Sequence, residues 1–304
     1  MSPVTTAPFG HVLSAMVTPF DAVGQLDTKA AAALATHLVD ACGHDGLVIS
    51  GTTGESPTTS DAEQDALLRA VVEAVGDRAY VVAGVGTNDT AHSVELTKQA
   101  QAAGAHGLLA VTPYYSKPPQ TGLVAHFRAI ADASDLPVML YDIPGRTGTK
   151  LGAVTLATLA EHDRIVAVKE ASGDLYAGTW LLSSTDLALY SGDDTLNLAW
   201  LALGAVGVVS VVGHLAGLRY RDLVAAVVAG DLDRAREIDR SLLPAVAAIM
   251  TRTQGVIMVK AALELQGILS NRLVRSPLVE ATDEQVLELE RDLIDAGLLE
   301  DTGQ

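Results

Sequence analysis

Ile165-Val166-Ala167-Val168-Lys169 is four apolar residues closed by a lysine. An unbroken apolar run of this length reads as a short strand covered on both faces, as in a parallel sheet. The lysine at its end must either reach water along its stem or serve a purpose, because an unpaired ammonium is costly to bury. Burial lowers a lysine pKa, and a fall of about three units from ~10.4 corresponds to roughly 4 kcal/mol. A lysine shifted that far holds a populated neutral amine near pH 7 and can attack a carbonyl carbon.

Similar runs recur on both sides of this one. Strands are expected at residues 13–17, 47–50, 80–84, 107–111, 137–141, 165–169, 187–191 and 207–211, with helical periodicity between them at 28–41, 61–75, 89–103, 121–133, 153–161, 175–182 and 195–203. Ser60 and Glu63 read as a capping box, and Asn88-Asp89 stand before an alanine-rich helix. Eight strand–helix units predict an α/β fold of the closed (β/α)8 TIM-barrel type. An open doubly wound sheet is the alternative, though one such domain rarely needs eight units. Gly84-Val85-Gly86 is only part of a dinucleotide-binding fingerprint and reads as a loop. Three further helices, at 232–250, 253–266 and 283–296, suggest a barrel domain over 1–231 and a small all-helical domain over 232–304.

A barrel makes its own test, because its active site lies where the strands end. Gly51-Thr52-Thr53-Gly54-Glu55 follows the second strand, and Thr112-Pro113-Tyr114-Tyr115-Ser116 the fourth. Tyr141 ends the fifth and leads into Asp142-Ile143-Pro144-Gly145-Arg146-Thr147; Lys169 ends the sixth; Ser191-Gly192-Asp193-Asp194 follows the seventh. The reactive groups thus fall on one rim. Thr52 and Thr53 sit in flexible backbone suited to pointing N–H groups at a carboxylate, or to a plain helix-capping turn. Tyr141 could pass protons beside Lys169, or be a core tyrosine. Arg146 could grip a carboxylate in a bidentate manner, or be a surface arginine. Tyr114 and Tyr115 could reach inward or pack on another subunit. Lys29, Lys98, Lys117, Lys150 and Lys260 compete as nucleophiles, but they lie on polar helix faces, in loops or, for Lys260, in the helical tail away from the rim.

The net charge of −17 argues against nucleic acid or an anionic membrane surface as a partner. An anionic substrate is then held by local cations, which points to Lys169 and Arg146. Apolar residues make up 49% of the chain, enough for a large core. Cys42 is the single cysteine, compatible with a reducing cytosol. Residues 1–10 lack the regions of a signal peptide, and the apolar stretch 205–212 is too short to span a bilayer, so a soluble cytoplasmic protein is expected. His37, Cys42 and His44 are close in sequence but lack a fourth metal ligand, Ser56 lacks a nucleophile elbow, and there is no P-loop. Schiff-base chemistry requires neither metal nor cofactor, and none is expected.

With G-T-T-G-E at 51–55, V-T-P-Y-Y at 111–115, Y-D-I-P-G-R-T at 141–147, V-K-E at 168–170, S-G-D-D at 191–194 and G-V-V-S at 207–210, the chain resembles the dihydrodipicolinate synthase family. That family belongs to the pyruvate-dependent class I aldolase superfamily, together with N-acetylneuraminate lyase. The resemblance covers essentially the whole chain. It implies that Lys169 forms an imine with pyruvate, and that Tyr141, Thr52 and a tyrosine from across a dimer interface, matching Tyr115, form a proton-relaying triad. It further implies that Thr52 and Thr53 hold the pyruvate carboxylate, that Gly192 and Val209 line the pyruvate pocket, and that Arg146 binds the carboxylate of L-aspartate 4-semialdehyde. The implied assembly is a homotetramer of two tight dimers on the diaminopimelate route to lysine. Ser56, Asn88 and Tyr114 match a site at which some members bind inhibitory lysine, whereas Asp61, Gln64 and His92 depart from it, so feedback inhibition is expected to be weak or absent. Two other readings compete: an aldolase cleaving a keto-deoxy sugar acid, and a non-catalytic keto-acid sensor, which would need no nucleophile or proton relay.

Overall fold

The alternation of side chains along a strand decides which residues fill the middle of this molecule. In the computed structural model, which describes residues 6–300, eight parallel strands close into a barrel in chain order. They are β1 (Val12–Ala15), β2 (Gly46–Ile49), β3 (Tyr80–Gly84), β4 (Gly107–Val111), β5 (Val138–Asp142), β6 (Ile165–Glu170), β7 (Ala188–Ser191) and β8 (Gly207–Ser210). Leu13, Val48, Val82, Leu109, Met139, Ala167, Ala188 and Val209 pack together inside the barrel, and Phe9 joins them. Their neighbours along each strand face outward into a second apolar layer beneath the helices.

That layer is covered by α1 (Thr28–Thr36), α2 (Asp61–Val75), α3 (Thr90–Ala102), α4 (Gln120–Asp132), the short α5 (Pro144–Thr147), α6 (Ala153–Ala160), α7 (Leu175–Ser184), α8 (Asn197–Leu203) and α9 (Gly213–Val228). The Ser60–Glu63 capping box opens α2 as its sequence predicts, and Asp89 caps α3. The strand ends shift by one or two residues from the sequence reading. The helix expected over 28–41 changes at Thr36 into a π-helical turn, His37–Ala41, where the Cys42 N–H reaches back to the His37 carbonyl at 3.1 Å.

Sequence periodicity did not reveal α9. Its first residue follows Val212, which offers no side-chain cap, so the usual start signal is absent. Its buried residues Tyr220, Leu223, Val224 and Ala226 still carry helical spacing.

Beyond α9 come α10 (Leu232–Met250), α11 (Gly255–Leu265) and α12 (Asp283–Asp295), packed on α9 and on one another. The chain around them also reaches the strand ends of the barrel. Arg275 pairs with Glu63 at 2.5 Å, and Asn271 donates to the Phe20 carbonyl at 3.1 Å. Among the described residues no single helix is long and apolar enough to cross a membrane.

Candidate active site

Tyr141 on β5 and Lys169 on β6 stand directly opposite each other in the sheet register, both on the inward face. The Lys169 side chain is buried, and its Nζ lies 4.4 Å from the centre of the Tyr141 ring. The space for it comes from Gly192, just past β7. A Cβ there would sit 2.8 Å from Lys169 Cγ and 2.9 Å from the Glu170 carbonyl oxygen, closer than real contacts allow. Any other residue at position 192 would push the lysine stem aside. Val209, buried in the barrel interior on β8, belongs to the same apolar surroundings.

Burial lowers the Lys169 pKa to about 8; the charge of Arg146 adds to the fall, while Asp194 opposes it. Asp194 does not pair with the amine. Its carboxylate accepts from Ser210 Oγ at 2.5 Å, Asn197 Nδ2 at 2.8 Å and the backbone N–H groups of Val211 and Val212 at 2.8 and 2.9 Å. Among the described residues no carboxylate forms an ion pair with Lys169, so a sizeable share of its amine is neutral near pH 7 to 8. The same burial pushes the Tyr141 phenol up to about 12, against the opposing effects of Arg146 and of a hydrogen bond with Thr52. The phenol therefore keeps its proton at neutral pH and can donate it.

Thr52 and Thr53 occupy a tight turn after β2, not the start of a long helix. A 3-10 turn, Ser56–Thr58, separates them from α2. Thr18 Oγ1 pins this loop by donating to the Gly54 carbonyl at 2.6 Å. Arg146 lies in α5, a single helical turn closed by Gly148. Tyr115 is 89% exposed in the single chain. Four non-glycine residues among those described have positive φ: Ser50 and Glu55 at 56°, Tyr115 at 71° and Lys117 at 48°. All four lie in the loops after β2 and β4, so the backbone strain is concentrated on the rim that carries the reactive groups.

These loops surround a cavity of about 660 Å³ whose wall includes Gly51, Thr52, Tyr115, Tyr141 and Arg146. A second cavity of about 250 Å³ adjoins it; Thr52 and Arg146 line both, and Thr53 and Gln254 line the second. Lys169, Gly192 and Val209 line neither wall. Tyr141 does line the larger one, with the lysine amine over its ring. The structure thus gathers Lys169, Tyr141, Thr52, Thr53, Arg146, Gly192 and Val209 at one barrel mouth, and leaves Tyr115 at its outer edge.

One expectation is corrected. Lys260, expected away from the rim, is buried against it: its Nζ meets Glu55 Oε1 at 2.5 Å and the Leu273 carbonyl at 2.7 Å. The pairing joins α11 to the Gly51–Glu55 loop across 205 residues of sequence, which local patterning does not reveal. Lys98 and Lys150 are exposed and paired with Glu95 and Asp174. His37 Nε2 and Cys42 Sγ are 3.4 Å apart, but His44 turns its Nδ1 to the Leu38 carbonyl at 2.8 Å; among the described residues no group of three or more His, Cys, Asp or Glu could hold a metal. Ser56, Asn88, Tyr114, Asp61, Gln64 and His92 all line one further cavity of about 190 Å³, in which His92 Nε2 lies 3.0 Å from the Asp61 carboxylate.

Known proteins resemble this chain over nearly its whole length. The dihydrodipicolinate synthetase family profile matches residues 8–296. A 4-hydroxy-tetrahydrodipicolinate synthase of Kineococcus radiotolerans is 65% identical over 291 residues, covering 96% of this chain and 94% of that protein. One from Acidothermus cellulolyticus is 62% identical over 294 residues, covering 97% and 94%. Among solved structures, a dihydrodipicolinate synthase from Cyanidioschyzon merolae with lysine bound superposes with a TM-score of 0.93 at 42% identity, covering 97% of this chain and all of that one.

Proposed function

The chain belongs to the dihydrodipicolinate synthetase family, and from that premise we propose how its own residues carry the reaction. The enzyme is a lyase that condenses pyruvate with L-aspartate 4-semialdehyde through a Schiff base, giving 4-hydroxy-tetrahydrodipicolinate on the diaminopimelate route to lysine. The observation that carries the assignment of roles is the inward, buried Lys169 beside Tyr141, whose amine meets no carboxylate among the described residues.

The neutral Lys169 amine attacks the pyruvate carbonyl carbon. The carbinolamine loses water as Tyr141 delivers a proton to the departing oxygen, leaving an imine. The imine draws electrons from the adjacent methyl group, which loses a proton to give an enamine. The enamine carbon then bonds to the aldehyde carbon of the second substrate, whose oxygen takes up a proton. Finally the amine of that substrate attacks the imine carbon, and Lys169 leaves as the ring closes. Holding both partners in one mouth turns a bimolecular addition into an effectively intramolecular one.

Thr52 and Thr53 hold the pyruvate carboxylate, Gly192 and Val209 bound the keto acid, and Arg146 takes the carboxylate of the aldehyde. Thr52 and Tyr141 share one proton path, whose third member is the partner subunit's Tyr115. An exposed tyrosine held at positive φ over the cavity supports a role completed by another subunit, within a homotetramer built from tight dimers. The only carboxylate among the six residues at the smaller rim cavity is held by His92, which supports weak or absent inhibition by lysine.

Borohydride reduction in the presence of pyruvate, followed by peptide mapping, is expected to place one adduct on Lys169. Turnover of pyruvate with L-aspartate 4-semialdehyde is expected to exceed cleavage of keto-deoxy sugar acids. Labelling elsewhere overturns the nucleophile, and preferential sugar-acid cleavage overturns the second substrate.

A further inference from the structure

Arg146 has one side-chain partner among the described residues. Its Nη1 donates to Gln254 Oε1 at 2.7 Å, and no carboxylate lies within ion-pairing distance. Gln254 is the residue before α11, and its side chain does not cap that helix. Its side chain instead reaches a barrel loop 108 residues earlier in the chain.

The backbone beneath Arg146 is well fixed. Its N–H bonds to the Ile143 carbonyl at 3.0 Å, and Thr147 Oγ1 donates to the Ile143 and Thr149 carbonyls. The long arginine side chain has no comparable support and would otherwise sample many rotamers. A neutral amide restrains it without cancelling its charge. A carboxylate at position 254 would restrain it too, but would neutralise the cation and occupy the fork that a substrate carboxylate needs. Arg146 lines both rim cavities, and Gln254 lines the second, so their hydrogen bond joins two residues of that second wall.

We propose that Gln254 is a positioning residue for the second substrate: it holds Arg146 in the orientation that accepts the aldehyde's carboxylate, and so contributes to preference for carboxylate-bearing aldehydes. The proposal rests on the assignment of Arg146 to that carboxylate, and the test separates the two. KM for each substrate is measured in Gln254→Ala, Gln254→Glu, Arg146→Ala and the Arg146→Ala/Gln254→Ala double variant, together with borohydride trapping of pyruvate.

Gln254→Ala is expected to raise KM for L-aspartate 4-semialdehyde about threefold to tenfold, leaving KM for pyruvate and trapping within about twofold. Gln254→Glu is expected to raise the same KM further, and Gln254→Ala to add nothing in the Arg146→Ala background. The proposal is overturned if Gln254→Ala leaves the aldehyde KM unchanged, raises both KM values alike, or acts equally without Arg146. If Arg146→Ala itself leaves the aldehyde KM unchanged, the carboxylate assignment falls and takes the proposal with it.

Discussion

Lys260 and Lys169 are both buried, and among the described residues only Lys260 has a carboxylate partner. Lys260 Nζ has the Glu55 carboxylate at 2.5 Å, the Leu273 carbonyl at 2.7 Å and the Phe20 ring centre at 4.3 Å. Lys169 has a tyrosine ring and, farther off, a carboxylate already committed to four donors. Burial lowers both pKa values, but Glu55 pulls that of Lys260 back up through its charge and its hydrogen bond. A buried lysine with a partner is held as a structural cation; without one its neutral amine is populated, as the role proposed for Lys169 requires. Dehydration alone therefore does not explain reactivity, and the contrast can be tested by removing each amine.

The largest effect is expected from Lys169→Met. Imine trapping should vanish and kcat fall by at least about a thousandfold, while the protein becomes more stable. The sign follows from linkage. The folded-state pKa of about 8 lies below the ordinary lysine value of 10.5, so the unfolded chain binds more protons between those values and the penalty is complete below pH 8. Methionine removes that penalty, a gain of up to about 3 kcal/mol at pH 7 that shrinks as pH rises toward 10. Urea unfolding at pH 7 and pH 10 measures it. A Lys169→Met protein less stable than the parent at pH 7 would break the contrast.

Lys260→Met should do the reverse. It leaves Glu55 buried without its cation, at a cost of about 3–5 kcal/mol, yet the folded fraction should still trap pyruvate on Lys169. Adding Glu55→Gln removes the orphaned charge and should restore part of the stability. Loss of trapping in folded protein, judged by circular dichroism and gel filtration, would show that the two lysines are not separable.

A smaller and graded effect sharpens the comparison in the unaltered enzyme. Below pH 8 the reactive amine is mostly protonated, so kcat/KM for pyruvate should rise close to tenfold per pH unit and level off above about pH 8. A profile already flat at pH 6 would mean that Lys169 is not the group whose deprotonation limits attack.

The barrel was legible because strands covered on both faces are written as continuous apolar runs, and each run ends at the rim. That is why Lys169, Tyr141, Thr52 and Arg146 could be placed together from sequence. The α9 helix was not, because Val212 supplies no cap and the preceding apolar run obscures where the helix begins. Nor were the contacts of Lys260 and Gln254, whose partners lie 205 and 108 residues away. Local periodicity carries no information about which distant loop a tail residue will meet. The pocket-lining role expected of Gly192 came from resemblance, whereas the packing of the lysine stem against it is visible only in three dimensions.

The clasp on Glu55 also ties the barrel rim to sequence made much later. Its two fastenings come from Lys260 and from the backbone N–H of Arg275, 205 and 220 residues downstream. A chain emerging from the ribosome contains Glu55 long before either fastening has been made. A product terminated before residue 260 would leave the loop after β2 without either tie, and with it the two threonines proposed to hold the keto acid.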